Sequence, residues 1–329
     1  MITLSKKFML VLLASMLSMS VYAKEVLRLG HYFPTEDFRG KTAQYFADQL
    51  NSDAFDVKVY PSESLVKGRD GFMATARGTV DIYSLFGGYA VGSVDLMRIF
   101  TIPFPSKSMT DSKLLEFAND PRVLDILGKR FETSQVKLLG FVNSSGETTV
   151  FLADPISSIK EFSGKRIRGV GGYTDPVLQD LGASVVFMSA AEQFLQLQTG
   201  GVDGVITTNS SYANLGLATV APARLERSIV RTPYALLMNL RKWNRLDESE
   251  QQAVREAVRN TIAWSAENFD AESERLAKIV ESQSKTVISF KEDDEQLINS
   301  LTDKYMQEFA STYGDDAGLL VEVLTEYNK

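Results

Sequence analysis

The 329-residue chain contains no cysteine and a single histidine, His31. The first absence excludes disulfides, thiolate metal sites, iron–sulfur clusters and cysteine nucleophiles together. The second excludes any site built on several histidines, so no resident metal or other cofactor is expected. Proline (9) and glycine (22) are too sparse for a disordered or fibrous protein. Block-like runs of lysine and arginine are missing, and the formal net charge is −7. An acidic chain of this kind is a poor partner for DNA or RNA. The motifs G-x-S-x-G, H-E-x-x-H and G-x-x-x-x-G-K-[ST] are absent, as is a G-x-G-x-x-G following a strand. Enzymes are thereby disfavoured rather than eliminated, since a catalytic pair of carboxylates needs no fixed spacing among 42 acidic residues.

Long apolar runs are also scarce, and the one present is N-terminal. Lys6 and Lys7 precede an apolar stretch from Phe8 to Leu17, followed by Val21-Tyr22-Ala23. A positive flank, a short apolar core and small residues at a cleavage position describe a secretory signal peptide over residues 1–23. Ten to fourteen apolar residues are too few for a stable membrane anchor, and no lipid-accepting cysteine follows. The mature chain is expected to begin near Lys24, to be exported to the periplasm without an anchor, and to be monomeric. Residues 1–23 hold two of the 35 basic side chains and no acid, so the mature part carries 33 against 42, a net −9.

Three hundred residues at 44% hydrophobic and 23% charged suffice for two cores. Strand-like and helix-like periods alternate. Glu25–His31, Phe55–Tyr60 and Val80–Leu85 read as strands, and helices are expected after Pro34 and over 63–77. Thr148–Leu152 and Arg166–Val170 read as further strands. Pro176 suggests the first position of a helix over 176–182, and Ser189-Ala190-Ala191-Glu192 is a capping box opening a helix over 189–199. Such alternation implies sheets flanked by helices. A ten-residue pattern, F-x5-G-x-V-D, occurs at Phe72–Asp81 and again at Phe194–Asp203. Each copy places a glycine where a helix would end and Val-Asp where a strand would begin. The repetition suggests two α/β units of similar plan.

The last third differs. Asp247-Glu248-Ser249-Glu250 has the form of a helix start, and neither proline nor glycine follows until Gly314. A continuous helix to about Ser284 is expected, some 55 Å long at about 1.5 Å per residue, enough to cross both units. A strand at Thr286–Phe290 and helices near 293–312 and 315–327 should complete the chain.

The segment Gly164-Lys165-Arg166-Ile167-Arg168-Gly169 bears most directly on function. Arg168 falls at the carboxyl end of its strand, immediately before Gly169, Gly171 and Gly172. Ligands bind at that edge in open α/β sheets, and a guanidinium there can grip a carboxylate through two parallel hydrogen bonds. The competing reading is a salt bridge at the surface, which is the better account of Arg166. His31 reads as a hydrogen-bonded histidine at a strand end.

Taken together, Gly164-Lys165-Arg166-Ile167-Arg168, Leu181-Gly182-Ala183-Ser184, Glu192 and Leu197-Gln198-Thr199-Gly200-Gly201-Val202-Asp203-Gly204 resemble the extracytoplasmic solute receptors of TRAP transporters, the DctP family. Gly78-Thr79-Val80-Asp81-Ile82 and Ile102-Pro103-Phe104 resemble that family's first domain. The resemblance runs from about Val26 to about residue 285. It implies an α/β, two-lobed, periplasmic-binding-protein-like fold with mixed sheets flanked by helices and a long helix spanning both lobes. One lobe would comprise residues 24–145 and 234–273, the other 146–233 and 274–329. It also implies capture of a small organic acid by lobe closure and delivery to the subunits of a sodium-driven TRAP membrane permease. The arginine ending the family's G-x-K-x-R run pairs with the substrate carboxylate, and Arg168 matches it. Thr207 stands where a ligand-binding asparagine is common. A second arginine found in sialic-acid-type members is missing at Gly146-Glu147-Thr148, and Phe33 replaces the acid of ectoine-type members. Phe33, Tyr89, Tyr173 and Tyr212, with Asn209, follow strands and are the remaining ligand-wall candidates, with core packing as the competing reading for each. A periplasmic hydrolase or lyase, and a sensor-input receptor of the same fold, remain as alternative functions.

Overall fold

A computed structural model describes residues 24–106, 108–143 and 147–328. The expected signal peptide lies outside the described residues. Eleven strands among them form two mixed sheets. The first contains β1 (Glu25–Gly30), β2 (Phe55–Tyr60), β3 (Ile82–Phe86), β4 (Val136–Val142) and β10 (Tyr234–Asn239), in the order β2-β1-β3-β10-β4. The second contains β5 (Thr148–Leu152), β6 (Arg166–Gly169), β7 (Ser184–Phe187), β8 (Gly204–Thr208), β9 (Ala223–Leu225) and β11 (Thr286–Ile288), in the order β11-β9-β5-β8-β6-β7.

The first sheet is parallel across β2, β1 and β3, and β10 inserts antiparallel between β3 and β4. Every residue of β10 is buried, as expected of a central strand covered on both faces. Because β10 follows β9 in the chain yet lies in the other sheet, the backbone crosses between the lobes more than once. Such crossings are natural hinges.

Helices α1 (Phe38–Leu50), α2 (Gly71–Arg77), α3 (Asp111–Ala118) and α4 (Pro121–Thr133) belong to the first half of the chain. Helices α5 (Thr174–Asp180), α6 (Gln193–Gln198) and α7 (Asn209–Asn214) follow strands of the second sheet, and α8 (Leu240–Trp243) follows β10. Local chemistry fixes many of these boundaries. The Asp37 side chain accepts from the backbone N–H of Arg39 and so starts α1, satisfying an otherwise orphaned donor. Ser189 and Glu192 form the expected capping box, although it opens a 3-10 turn over 190–192 before α6. Pro176 falls at the third position of α5 rather than the first, because Tyr173 is the cap. Proline is tolerated there, since the first four N–H groups of a helix have no intrahelical acceptor.

The repeated ten-residue pattern has a matching structure in each lobe. Gly78 ends α2 in the left-handed region at φ 77°, and Gly200 follows α6 at φ 68°. Arg28 Nε donates to Asp81 at 2.9 Å and its terminal nitrogen donates to the Gly78 carbonyl at 3.0 Å. In the second lobe, Arg166 donates to Asp203 at 3.3 Å and to the Gly200 carbonyl at 2.8 Å. The backbone N–H of each arginine also donates to its aspartate, at 2.8 and 2.7 Å. Arg166 is exposed and salt-bridged, as expected for it.

The long helix α9 (Glu248–Gln283) runs for 36 residues, opened by the Asp247–Glu250 capping box. Its length is roughly 54 Å. Val254, Ala257 and Val258 near its start pack into the core beside the first sheet, and Val280 near its end joins the cluster of Phe151 and Val205 of the second sheet and Tyr212 of α7. Trp264 in its middle stacks on Phe38 and Tyr45 of α1. Helices α10 (Glu292–Thr312) and α11 (Asp315–Tyr327) close the chain. The first is tied to residues of the second lobe through Asp294 with Ser158 and Tyr305 with Asp180. The second departs from the expected assignment of 274–329 to that lobe. It packs on α3 and α4, with Glu326 bonded to Arg122 and Tyr327 to Asp120. The chain turns between the two helices at Gly314, whose φ of 78° and ψ of −165° are open chiefly to glycine.

Candidate ligand-binding cleft

The carboxyl ends of β1 and β3 in one sheet and of β6 and β8 in the other converge on a common cleft. A small cavity there is lined by Tyr32, Arg39, Phe86, Tyr89 and Tyr234 from the first lobe and by Thr148, Arg168, Val170, Ala190, Thr207, Thr208 and Ser211 from the second. Sequence reasoning thus reaches Arg168, Tyr89 and Thr207, which the fold brings to one cavity.

Arg168 is only 3% exposed. Its Nε donates to the Met188 carbonyl at 3.2 Å, one terminal nitrogen to the Ile206 carbonyl at 2.5 Å and the other to the Tyr89 hydroxyl at 3.2 Å. Three of its five N–H donors are engaged, which leaves one on each terminal nitrogen. No carboxylate among the described residues forms a salt bridge with it. Asp175 lies in its field, but the Asp175 carboxylate instead accepts from Gly171 N–H and Thr174 Oγ1, and burial raises its pKa above the usual carboxylate value. A buried cation without a counter-ion is costly, by several kcal/mol in real proteins.

The other expected residues fall elsewhere. Tyr212 stacks face to face on Phe151 at 4.0 Å and donates to the Ala221 carbonyl, which places it in the core behind the second sheet. Tyr173 is buried against Tyr305, with the Arg98 guanidinium over its ring. Neither lines the cavity, because each side chain turns from its loop into the nearest apolar layer. Asn209 opens α7 with its N–H bonded to the Glu147 carbonyl, and the helix presents Ser211 to the cavity instead. Phe33 lies beneath the Arg39 guanidinium, 4.6 Å from ring centroid to carbon, and lines an adjoining compartment shared with Tyr32, Asp37 and Glu63.

Residues missed in the sequence supply much of the first lobe's face. Asp37 is 3% and Arg39 5% exposed. Arg39 donates through Nε to one Asp37 oxygen at 2.7 Å and through a terminal nitrogen to the other at 2.7 Å. Burial alone would raise the Asp37 carboxyl, but the Arg39 guanidinium and the Ser210 hydroxyl outweigh it and hold the acid far below its ordinary value. Ser210 and Asn214 of α7 donate to Asp37 from the second lobe, the latter at 2.9 Å. Arg39 also donates to the Tyr234 hydroxyl at 3.0 Å, and Tyr234 shares a hydrogen bond of 2.7 Å with Tyr32. The one sequence signal for this group was Asp37-x-Arg39 at the helix start just after β1.

Further contacts join the lobes at the rim. Arg69 lies over the Phe187 ring at 4.6 Å, and Tyr173 N–H donates to Thr101 Oγ1 at 3.0 Å. Within the cavity, Arg39 is paired with Asp37, and Arg168 has no ion-pair partner among the described residues. Among the described residues no cluster of three or more histidine or acidic side chains is placed to hold a metal ion.

Comparison with known proteins agrees with this geometry. The family model for bacterial extracellular solute-binding proteins, family 7 (DctP), matches residues 29–312. A solute-binding protein of Albidiferax ferrireducens is 24% identical over 214 residues, 63% of this chain and 62% of that protein's length. The ectoine-binding periplasmic protein TeaA of Halomonas elongata is 26% identical over 295 residues, 86% of this chain and 84% of TeaA. Among solved structures, a marine-metagenome TRAP solute-binding protein specific for pyroglutamate superposes with a TM-score of 0.85 at 16% identity, covering 93% of this chain and all of that one. With two lobes, a spanning helix and a family match over most of its length, this chain belongs to the family 7 bacterial extracellular solute-binding proteins, the DctP family.

Proposed function

We propose that this chain is the periplasmic receptor of a TRAP transporter. It captures a small carboxylate-bearing organic solute between its lobes and delivers it to the membrane permease. The observation that carries this reading is Arg168, buried in the cleft with no ion-pair partner and with one free N–H on each terminal nitrogen. A carboxylate offers two oxygens to two such donors and removes the charge imbalance in the same step. The carbonyls of Met188 and Ile206 fix the plane of the guanidinium, so little rotamer entropy is lost on binding.

The cleft is read as binding rather than catalytic. The cavity beside Arg168 has no carboxylate, histidine or lysine in its lining among the described residues. Burial raises the pKa values of the Tyr32 and Tyr89 hydroxyls, so neither is a base near neutral pH. The receptor works as a monomer, and no helix among the described residues is long and apolar enough to cross a membrane.

The test begins with mass spectrometry of the small molecule released when the purified protein is denatured. Calorimetric titration of that molecule then compares wild type with Arg168→Ala and Arg166→Ala. Loss of the Arg168 guanidinium strands the bound carboxylate and should cost roughly 2–5 kcal/mol, which is about 30-fold to several thousand-fold in affinity. Arg166, exposed and paired with Asp203, should change affinity little. Normal binding by Arg168→Ala would sink the reading.

A further inference from the structure

We propose that the cleft is selective for monoanions: it takes a small monocarboxylate that also bears a neutral oxygen acceptor, and it rejects dicarboxylates. This rests on the receptor reading above and deepens it.

The first argument is a count of charges. Two guanidinium groups line the cavity, Arg168 from the second lobe and Arg39 from the first. Arg39 is already engaged by both oxygens of the buried Asp37 carboxylate, and also contacts Ser210 and Tyr234. Its charge is cancelled before any ligand arrives. One positive charge therefore remains for the ligand, on Arg168. A second carboxylate would lose its water and find no free cation. It would also approach Asp37 and Glu63, which line the adjoining compartment. Specificity then comes from a like-charge penalty as well as from the favourable pair.

The second argument is a count of hydroxyl hydrogens. Arg39 donates to the Tyr234 oxygen, and one hydrogen is shared between Tyr234 and Tyr32. Whichever tyrosine donates in that bond, the other keeps a free O–H. The Tyr89 hydroxyl, which accepts from Arg168, keeps its own O–H as well. Neutral donors of this kind suit a carbonyl or hydroxyl oxygen. They suit a carboxylate poorly in a closed, dehydrated site, because the ion's charge would stay uncompensated.

The third argument is the wall. Tyr32, Phe86, Tyr89 and Tyr234 form an aromatic cluster, with neighbouring centroids 5.5 to 6.3 Å apart and ring planes inclined at 39° to 78°. Such rings pack against the carbon body of a small ligand.

The experiment uses two pairs of probes that differ chiefly in one charge: succinamate against succinate, and glutaramate against glutarate. Each is titrated into ligand-stripped wild type, Asp37→Asn and Arg168→Gln. Wild type should bind the monoanion of each pair at least about tenfold more tightly than the dianion, a modest ratio for a charge left unpaired on burial. Asp37→Asn keeps the cap and an amide contact but frees the Arg39 charge, so it should erase or reverse the ratio. A melting curve checks that this variant folds, and the wild-type comparison stands without it. Succinate or glutarate binding as tightly as its partner overturns the inference while leaving the receptor reading intact, provided Arg168→Gln abolishes both. Wild type binding neither monoanion also overturns it, since both belong to the class named. Undiminished binding by Arg168→Gln instead overturns the carboxylate reading beneath it.

Discussion

Single side chains in the cleft divide into those that meet a ligand and those that hold the others in place. His31 belongs to the second kind. It stacks on Phe33 behind the Asp37–Arg39 pair, and its Nδ1 is buried without a partner. Burial pushes its imidazole pKa down to about 4; nearby Asp37 pulls it up and Arg39 pulls it further down. The folded value lies below the unfolded one, so the unfolded chain takes up the proton first on acidification. The associated stability is complete above about pH 6.5 and is lost as pH falls toward 4, by roughly 3 kcal/mol in all. Denaturant unfolding between pH 7.5 and 4.5 should therefore show a slope that His31→Gln flattens. An equal slope in the variant would assign the acid sensitivity elsewhere. Arg168 was legible in the sequence because its neighbours announce a strand end. Arg39 was not, because its role depends on Tyr234, 195 residues away, and no local pattern encodes such a meeting.

At the scale of elements, the legible parts were those stabilised by their own sequence. The capping box at Asp247–Glu250, the unbroken run to Gln283, and the left-handed Gly78 and Gly200 are local devices, and the structure has all of them. The caps carry measurable stability. Asp247→Ala should lower the melting temperature, since it frees the Glu250 N–H at the start of the long helix. Ligand affinity should not change, because the cap is remote from the cleft. A loss of affinity without a loss of melting temperature would show that α9 transmits more than it supports. Strand β10 was illegible for the opposite reason. Its six residues are wholly buried, so it has no alternation to read, and its place between β3 and β4 is set by tertiary pairing alone. The walls of the cleft inherit that difficulty: Tyr212 and Tyr173 follow strands as Tyr89 does, yet packing turns them inward.

Across the whole molecule, closure brings α7 against the first lobe, where Ser210 and Asn214 donate to Asp37. These bonds exist only when the lobes meet, so they favour the closed population whichever ligand is present. Ser210→Ala with Asn214→Ala should weaken ligand binding about tenfold, chiefly through faster release, by removing two hydrogen bonds to a buried carboxylate. Small-angle scattering should show compaction of wild type on ligand addition and less of it in the double variant. Identical radii of gyration with and without ligand would sink the closure mechanism. The arginine–aspartate–glycine clamp shared by the two lobes also bears on how binding proceeds. Two residues beyond the clamp arginine, the second lobe carries Arg168, and the first carries Gly30, where a Cβ would come within 2.9 Å of the Tyr83 ring. The same scaffold position is thus a hook in one lobe and a blank in the other. On the proposed reading of Arg168, an arriving anion would have one place to land in the cavity, and the order of events follows: the solute would dock carboxylate-first on the second lobe of the open receptor, and the first lobe would shut over its other end.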